Sequence, residues 1–325
     1  MKRKLFPVLT LIGALLLPQT ALAWNSTGHQ LVARIAWENM TPTTRKNVIE
    51  LLQQAPPDAC LLDLLSNDNA RPLEERQREF FMLAATWPDI VRPKDEDTRP
   101  CTRFHQRDWH FINFFWEGIS GETGQDAPED NSDIPVPELN AVDRLKFFRP
   151  FVACATPQCG TPQSERALML AWILHLVGDI HQPLHTSARV TTMANEKEGD
   201  QGGNFFKLGV GSKALSLHSY WDGIINRSIK QPQNEKDLVY HDRVAMKIME
   251  QHPRASLSSR LQPIDFEAWS REGFETTKRE VYPKSLKRGV LPNDTYQQNA
   301  FVIAQKAIAL GGYRLAELLN QMFGS

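Results

Sequence analysis

Residues 175–185 read His175-Leu176-Val177-Gly178-Asp179-Ile180-His181-Gln182-Pro183-Leu184-His185. They close a segment, residues 164–180, in which Leu168, Leu170, Trp172, Ile173, Leu176 and Val177 leave nearly every face apolar. A helix of that character has to be buried, so the spacing predicts a central core helix. His175 and Asp179 stand four apart and project from one face of it. An imidazole and a carboxylate in such a setting need a reason, because an unpaired buried charge is costly. A hydrogen-bonded His–Asp pair would be one. However, His185 follows at once, after Pro183 has ended the helix, and the same spacing recurs at His218 and Asp222 in Leu-His-Ser-Tyr-Trp-Asp. Core packing does not account for two such pairs and a trailing histidine.

Outward from this segment the chain continues to read as helix. Leu31, Val32, Ile35 and Ala36 recur at helical spacing after Ser26-Thr27, and Thr41-Pro42 opens a second helix burying Val48, Ile49, Leu51 and Leu52. Residues 137–152, 240–251, 266–281 and 295–322 carry the same periodicity. Strand signal is scarce: residues 109–113 suit a short extended piece and residues 204–208 a small hairpin edge. Residues 118–135 and 188–203, rich in Gly, Pro and Asn, read as loops. No repeat or composition break marks a second domain, so an all-α single domain is expected over residues 24–325.

Residues 1–23 have the three parts of a secretory signal: basic Lys2, Arg3 and Lys4, an apolar run, and a small-x-small end at Ala21-Leu22-Ala23. The apolar run is short for a membrane span. The expectation is an exported chain, secreted or periplasmic, that begins at Trp24 and has no membrane attachment. Without the leader, 302 residues remain, with 34 basic against 38 acidic side chains. Such a chain has no long-range field for a polyanion, so bound cations would have to supply local attraction. Four cysteines in an exported chain suggest two disulfides. Cys154 and Cys159 are close enough to pair across a tight loop, leaving Cys60 with Cys101, although four cysteines allow three pairings. Neither pair has zinc-ligand spacing. Asn25, Asn226 and Asn293 head glycosylation sequons, which matter only in a eukaryotic secretory route.

His29, Asp89 and His110 gain weight from the two His–Asp pairs. With them, five of the nine histidines fall in one candidate set, and imidazole mixed with carboxylate favours zinc over calcium or magnesium. His105, His181, His241 and His252 have no matching partners and read as structural or exposed, His181 being the best placed to support a ligand.

These residues, in order, carry a resemblance. Trp24-Asn-Ser-Thr-Gly-His29, Trp87-Pro-Asp89-x-x-Arg92, Trp109-His110-Phe111, His175 through His185, Gly202-Gly203-Asn204, Leu217-His218-Ser-Tyr-Trp221-Asp222 and Arg314-Leu-Ala-x-Leu-Leu-Asn320 resemble the zinc-dependent single-strand nucleases of class I, the S-one/P-one type. The likeness spans nearly the whole chain after the leader. It implies a mainly helical fold, related to that of zinc phospholipase C, around a cleft with three zinc ions. One ion would be held by Asp89, His110, His175 and Asp179, a second by His185, His218 and Asp222. The third would take His29, Asp179 as a bridge, and the free amine and carbonyl of Trp24, so that leader removal itself creates a ligand.

The implied activity is hydrolysis of single-stranded DNA and RNA to 5′-phosphorylated products, with 3′-nucleotidase activity as a further expectation, by a monomer. Zinc would acidify a water, Asp89 and Asp179 would act in catalysis, and Arg92 would neutralise charge at phosphorus. Phe111 would stack a base, and Asn204 would contact substrate. Two rivals carry less. In zinc phospholipases C the position matching Asp222 is typically Glu, and Phe111 with Gly202-Gly203-Asn204 fits the nucleases better. A zinc-storage protein would have no use for Arg92.

Overall fold

The computed structural model describes residues 24–117, 129–130, 135–154, 160–211 and 214–324; residues 1–23, most of the segment 118–134 and Cys159 lie outside the described residues. The helices are α1 (Ser26–Asn39), α2 (Pro42–Leu52), α3 (Leu73–Ala84), α4 (Trp87–Ile90), α5 (Ala141–Ala153), α6 (Gln163–Asp179), α7 (Leu217–Asp222), α8 (Ile224–Ser228), α9 (Asp237–Gln251), α10 (Phe266–Thr276) and α11 (Asp294–Phe323). The strands are β1 (Phe114–Glu117), β2 (Glu129–Asp130), β3 (Ser187–Val190), β4 (Lys207–Leu208) and β5 (Leu215–Ser216). The expected mainly helical domain is borne out. Among the described residues, no helix is long and apolar enough to cross a membrane.

Helix α6 is the axis of the packing, fully buried from Leu170 to Asp179, with α1, α2, α3, α4, α5 and α11 around it. Helix α11, about 45 Å long at 1.5 Å per residue, packs along α1. A Cβ on Gly312 would lie 2.6 Å from Ile35 Cβ, so the absence of a side chain sets how closely these two helices approach. The caps are those the sequence offers. The Asn25 side chain accepts from Gly28 N at the start of α1, and Asn140 accepts from Val142 N and Asp143 N at the start of α5. Helix α5 therefore begins at Ala141, four residues later than expected.

Three sequence expectations need correction. The extended piece expected at residues 109–113 is displaced: Arg107–His110 is a 3-10 turn and the strand is Phe114–Glu117. The segment expected to be loop from Ala188 begins instead as β3, which runs parallel to β1 with Phe114 opposite Ser187 and Glu117 opposite Val190. Its short alternation carried too little signal without the partner strand. Helix α3, whose apolar side is Phe80, Phe81 and Met82, has no counterpart in the sequence reading. The small hairpin is present, with Lys207 opposite Ser216 and Leu208 opposite Leu215. Cys60 and Cys101 form a disulfide. Cys154 is disulfide-bonded too, and its expected partner, Cys159, is outside the described residues.

Candidate metal centre and cleft

The parallel pairing of β1 with β3 positions two of the histidines. His110 precedes β1 and His185 precedes β3. Ile112 N donates to His185 O at 2.9 Å, and His185 Nδ1 lies 2.8 Å from His110 O. The strand pair thus holds both imidazoles side by side above the C-terminal end of α6, where His175 and Asp179 are. Helix α7 brings His218 and Asp222, and α1 brings His29, whose ring stacks on His175 at 3.8 Å between centroids and 15° between planes.

Three groups of side chains have ligand atoms within 4.8 Å of one another: His29 with Asp89 and His175; His110 with His175 and Asp179; and His185 with His218 and Asp222. The last is the set expected for one ion. Asp89 is grouped with His29 and His175, not with His110 and Asp179, so the side chains form one continuous cluster sharing His175. Asp179 lies at its centre, its Oδ2 3.2 Å from His175 Nε2 and 3.3 Å from His110 Nδ1, its Oδ1 3.4 Å from His29 Nε2. The backbone of residues 24–25 is beside it, since Asn25 N donates to Asp222 O at 3.2 Å. The sequon residues hold that corner: Asn25 Nδ2 donates to Asn226 Oδ1 at 2.7 Å and Asn226 Nδ2 to Thr27 Oγ1 at 3.0 Å. Asn293 caps α11.

The cluster suits cations on its own geometry. His175, His185 and His218 each place Nδ1 2.7–2.8 Å from a backbone carbonyl, of Ala85, His110 and Gly202. Nδ1 must carry the proton in each, so Nε2 presents a lone pair to the centre. His185 Nε2 and His218 Nε2 then face each other, acceptor to acceptor, at 3.0 Å. Two lone pairs at that distance repel unless a cation lies against both; two nitrogens on one tetrahedral zinc stand roughly 3.3 Å apart. Both oxygens of Asp179 and both ring nitrogens of His29 are buried with no hydrogen bond among the described residues, a heavy penalty for a site that holds nothing.

Burial also keeps the imidazoles neutral. It lowers His29 and His185 far below the usual histidine range, lowers His175, and holds His110 at about 4. Burial pushes Asp179 up to about 7, against the pull of His110, and raises Asp222 and Asp89 as well. A bound cation would reverse the carboxylate shifts.

Two supports escaped the sequence reading as roles. Gln182 accepts from Leu184 N at 2.6 Å and donates from Nε2 to Asp222 Oδ1 at 2.7 Å, fixing the carboxylate that closes the third group. Gly202, at φ +59°, lets its carbonyl reach His218; a Cβ there would be 2.3 Å from Leu184 O. His181 points away from the cluster: its Nδ1 donates to Val177 O at 2.7 Å, and its Nε2 accepts from Arg314, which is paired with Glu272.

The cluster floors a cleft of about 270 Å³. Arg92, Phe111 and Asn204 line it, joined by Arg107, Asn113, Glu198 and Gln201 and by His105, which the sequence reads as structural or exposed. Phe111 is half-buried and stands apart from the hydrophobic core. Asn204 donates to Gln201 O at 2.8 Å and accepts from Ser216 Oγ at 3.4 Å. The wall bearing Glu198 to Asn204 is held through two buried carboxylates: Arg288 pairs with both oxygens of Glu196 at 2.6 and 2.8 Å, and Tyr282 donates a hydrogen bond to Asp200 Oδ2 at 2.5 Å.

Sequence comparison agrees with this geometry. The family profile described as S1/P1 Nuclease matches residues 24–324. Endonuclease 2 of Arabidopsis thaliana is 22% identical over 306 residues, covering 93% of this chain and 91% of its own. Endonuclease 1 of the same plant is 22% identical over 93% of this chain and 87% of its own. Nuclease S1 of Aspergillus oryzae is 23% identical over 65% of this chain and 57% of its own.

Proposed function

The chain belongs to the S1/P1 nuclease family and is a phosphodiester-cleaving nuclease, and we propose that it is an exported enzyme with three zinc ions that cuts single-stranded DNA and RNA. The observation that carries this is the pair of imidazole lone pairs facing each other beside a buried Asp179, itself ringed by histidines, under an open cleft. In this reading residues 1–23 are a leader removed after Ala23, and the enzyme is monomeric.

One ion is held by His185, His218 and Asp222. The others share His29, Asp89, His110, His175 and Asp179, with the amine and carbonyl of Trp24 completing the last. Bound zinc supplies Lewis acidity, acidifying water and withdrawing charge from phosphoryl oxygens. The chain's own groups do the rest. Arg92, on the cleft wall beside Asp89, places a guanidinium against the charge that grows on phosphorus. Asp89, largely buried at the cleft floor, accepts a hydrogen bond from the attacking water and orients it. Phe111 offers its ring face to a nucleobase, contributing ~1–3 kcal/mol without base preference, and Asn204 contacts the nucleotide from the opposite wall. A base already stacked in a duplex reaches Phe111 only after unpairing, which gives the single-strand preference. The products carry 5′-phosphates, and a 3′-mononucleotide fits the same cleft as a substrate for 3′-nucleotidase activity.

The test is product analysis on single-stranded DNA, RNA, duplex DNA and phosphatidylcholine, with metal content measured on protein beginning at Trp24. Three zinc ions, 5′-phosphorylated products and at least tenfold slower duplex cleavage are expected. Equal rates on duplex and single strands would overturn the specificity, and zinc content below three the metal assignment.

A further inference from the structure

We propose that His105 and Arg107 form a second phosphate subsite, which holds the phosphate neighbouring the scissile one along a single strand. The inference rests on the nuclease reading and extends it from one phosphate to two. The net charge of the chain is −1, so a polyanionic strand is gathered only by cations fixed in the cleft. The guanidinium groups lining it are Arg92 and Arg107, on the same wall.

Burial lowers the pKa of Arg92 and of His105, and the charges are close enough to add to it: Arg107 lowers Arg92 further, and both arginines lower His105 further. Arg92, His105 and Arg107 therefore sit together, two guanidinium charges with a neutral imidazole beside them, and Arg92 is at the end nearest Asp89. The ring of His105 is 6.3 Å from that of His110, adjacent to the metal-capable cluster but outside all three of its groups. Its Nδ1 is enclosed and makes no hydrogen bond among the described residues. Arg107 is exposed and has no carboxylate within ion-pair distance among the described residues; its neighbour Asp108 lies outside the cleft lining. An unpaired arginine at a cleft mouth keeps its fork of donors for a phosphate.

The segment is also held in place. Cys101, four residues before His105, is tied to Cys60. Trp109, two after Arg107, packs edge-on against Phe148 and Trp172 at 5.5 and 5.0 Å. Glu198 also lines the cleft and is exposed; its carboxylate repels a phosphate and turns the strand's backbone toward the arginines.

Trithymidylate separates this subsite from the catalytic one. Two analogues, each with a neutral methylphosphonate replacing one of its two phosphodiesters, leave a single cleavable bond with an uncharged neighbour. For the wild-type enzyme, neutralising the neighbour on one side should raise KM roughly tenfold, the effect of one charge-assisted contact of about 1.4 kcal/mol. Arg107→Gln should show the raised KM on trithymidylate and no further rise on that analogue, with kcat and melting temperature unchanged. Its dependence of log KM on log salt should flatten by about 0.7, the value for one single-strand phosphate contact. His105→Ala should lose part of the discrimination. Equal KM for all three substrates with the wild-type enzyme, or an equal effect of Arg107→Gln on all of them, overturns the subsite while leaving the nuclease reading intact. Failure of the wild-type enzyme to cut trithymidylate overturns the nuclease reading and the subsite with it.

Discussion

Gly178→Ala should cost this enzyme a metal ion although it improves a helix. Gly178 sits inside α6 with ordinary helical backbone, where alanine is favoured by ~0.8–1.0 kcal/mol. The added Cβ, however, would lie 2.7 Å from His29 Nδ1 and 3.1 Å from its Cε1. Ordinary contact needs roughly 3.5–4.0 Å, so the imidazole has to retreat by about 1 Å. It cannot turn aside cheaply, because its other face is stacked on His175 at 3.8 Å and the residue is fully buried. Overpacking of this kind costs ~1–3 kcal/mol, much of it offset by the helix gain, so chelated protein should melt within a few degrees of wild type. Ligand placement tolerates only about 0.2 Å. The variant should therefore bind one zinc fewer after gel filtration and lose roughly 100-fold in kcat, the scale of a 1 Å misplacement. Elemental analysis, melting with and without chelator, and turnover on single-stranded DNA are the assays. Full zinc content with normal kcat would refute the reasoning, and collapse of the chelated protein would show that Gly178 serves packing alone.

Asp179→Asn should abolish activity and release about two zinc ions, yet raise stability in chelator above neutral pH. Burial holds the Asp179 carboxyl at about 7, so the stability it carries is present below the ordinary carboxylate range and lost as pH rises through 7. Asparagine escapes that loss, ~4 kcal/mol at most, and chelated melts at pH 5 and pH 9 read it; a variant less stable at both contradicts the sign. Phe111→Ala should raise the dinucleotide KM ~5–100-fold with zinc content and melting temperature nearly unchanged, whereas a core phenylalanine would cost ~3–5 kcal/mol of stability. A chain with Met or a tag ahead of Trp24 should bind fewer metal ions and turn over slowly until trimmed without a scar. Equal zinc content and rates in both forms would remove the Trp24 amine as a ligand.

Much of the fold is legible because helices announce themselves locally. The apolar faces of α1, α2, α6 and α11 recur every three to four residues, and their caps lie within a few positions. The two His-x3-Asp pairs are legible for the same reason, since i and i+4 share a helical face whatever surrounds them. Strands depend on partners, and so the sequence places β1 too early and gives the start of β3 the pattern of a loop. Helix α3 was missed although its apolar triplet is plain in the sequence.

Sequence alone thus supplied the residue types of the metal cluster, their order, and the family resemblance they carry, because those depend on side-chain chemistry and short spacings. The tertiary structure decided how the metal-capable side chains are grouped, with Asp89 beside His29 and His175, since that depends on where α1 and α4 cross α6. It also decided which nitrogen each imidazole turns inward, fixed by the carbonyls of Ala85, His110 and Gly202, residues 90, 75 and 16 positions away from the histidines they orient. The same holds for His105 and Arg107, unremarkable in the sequence and placed in the cleft by a disulfide on one side and a half-buried, ring-packed tryptophan on the other. Spacing along a chain fixes what shares a helix face; only the packing of distant segments fixes what shares a cavity.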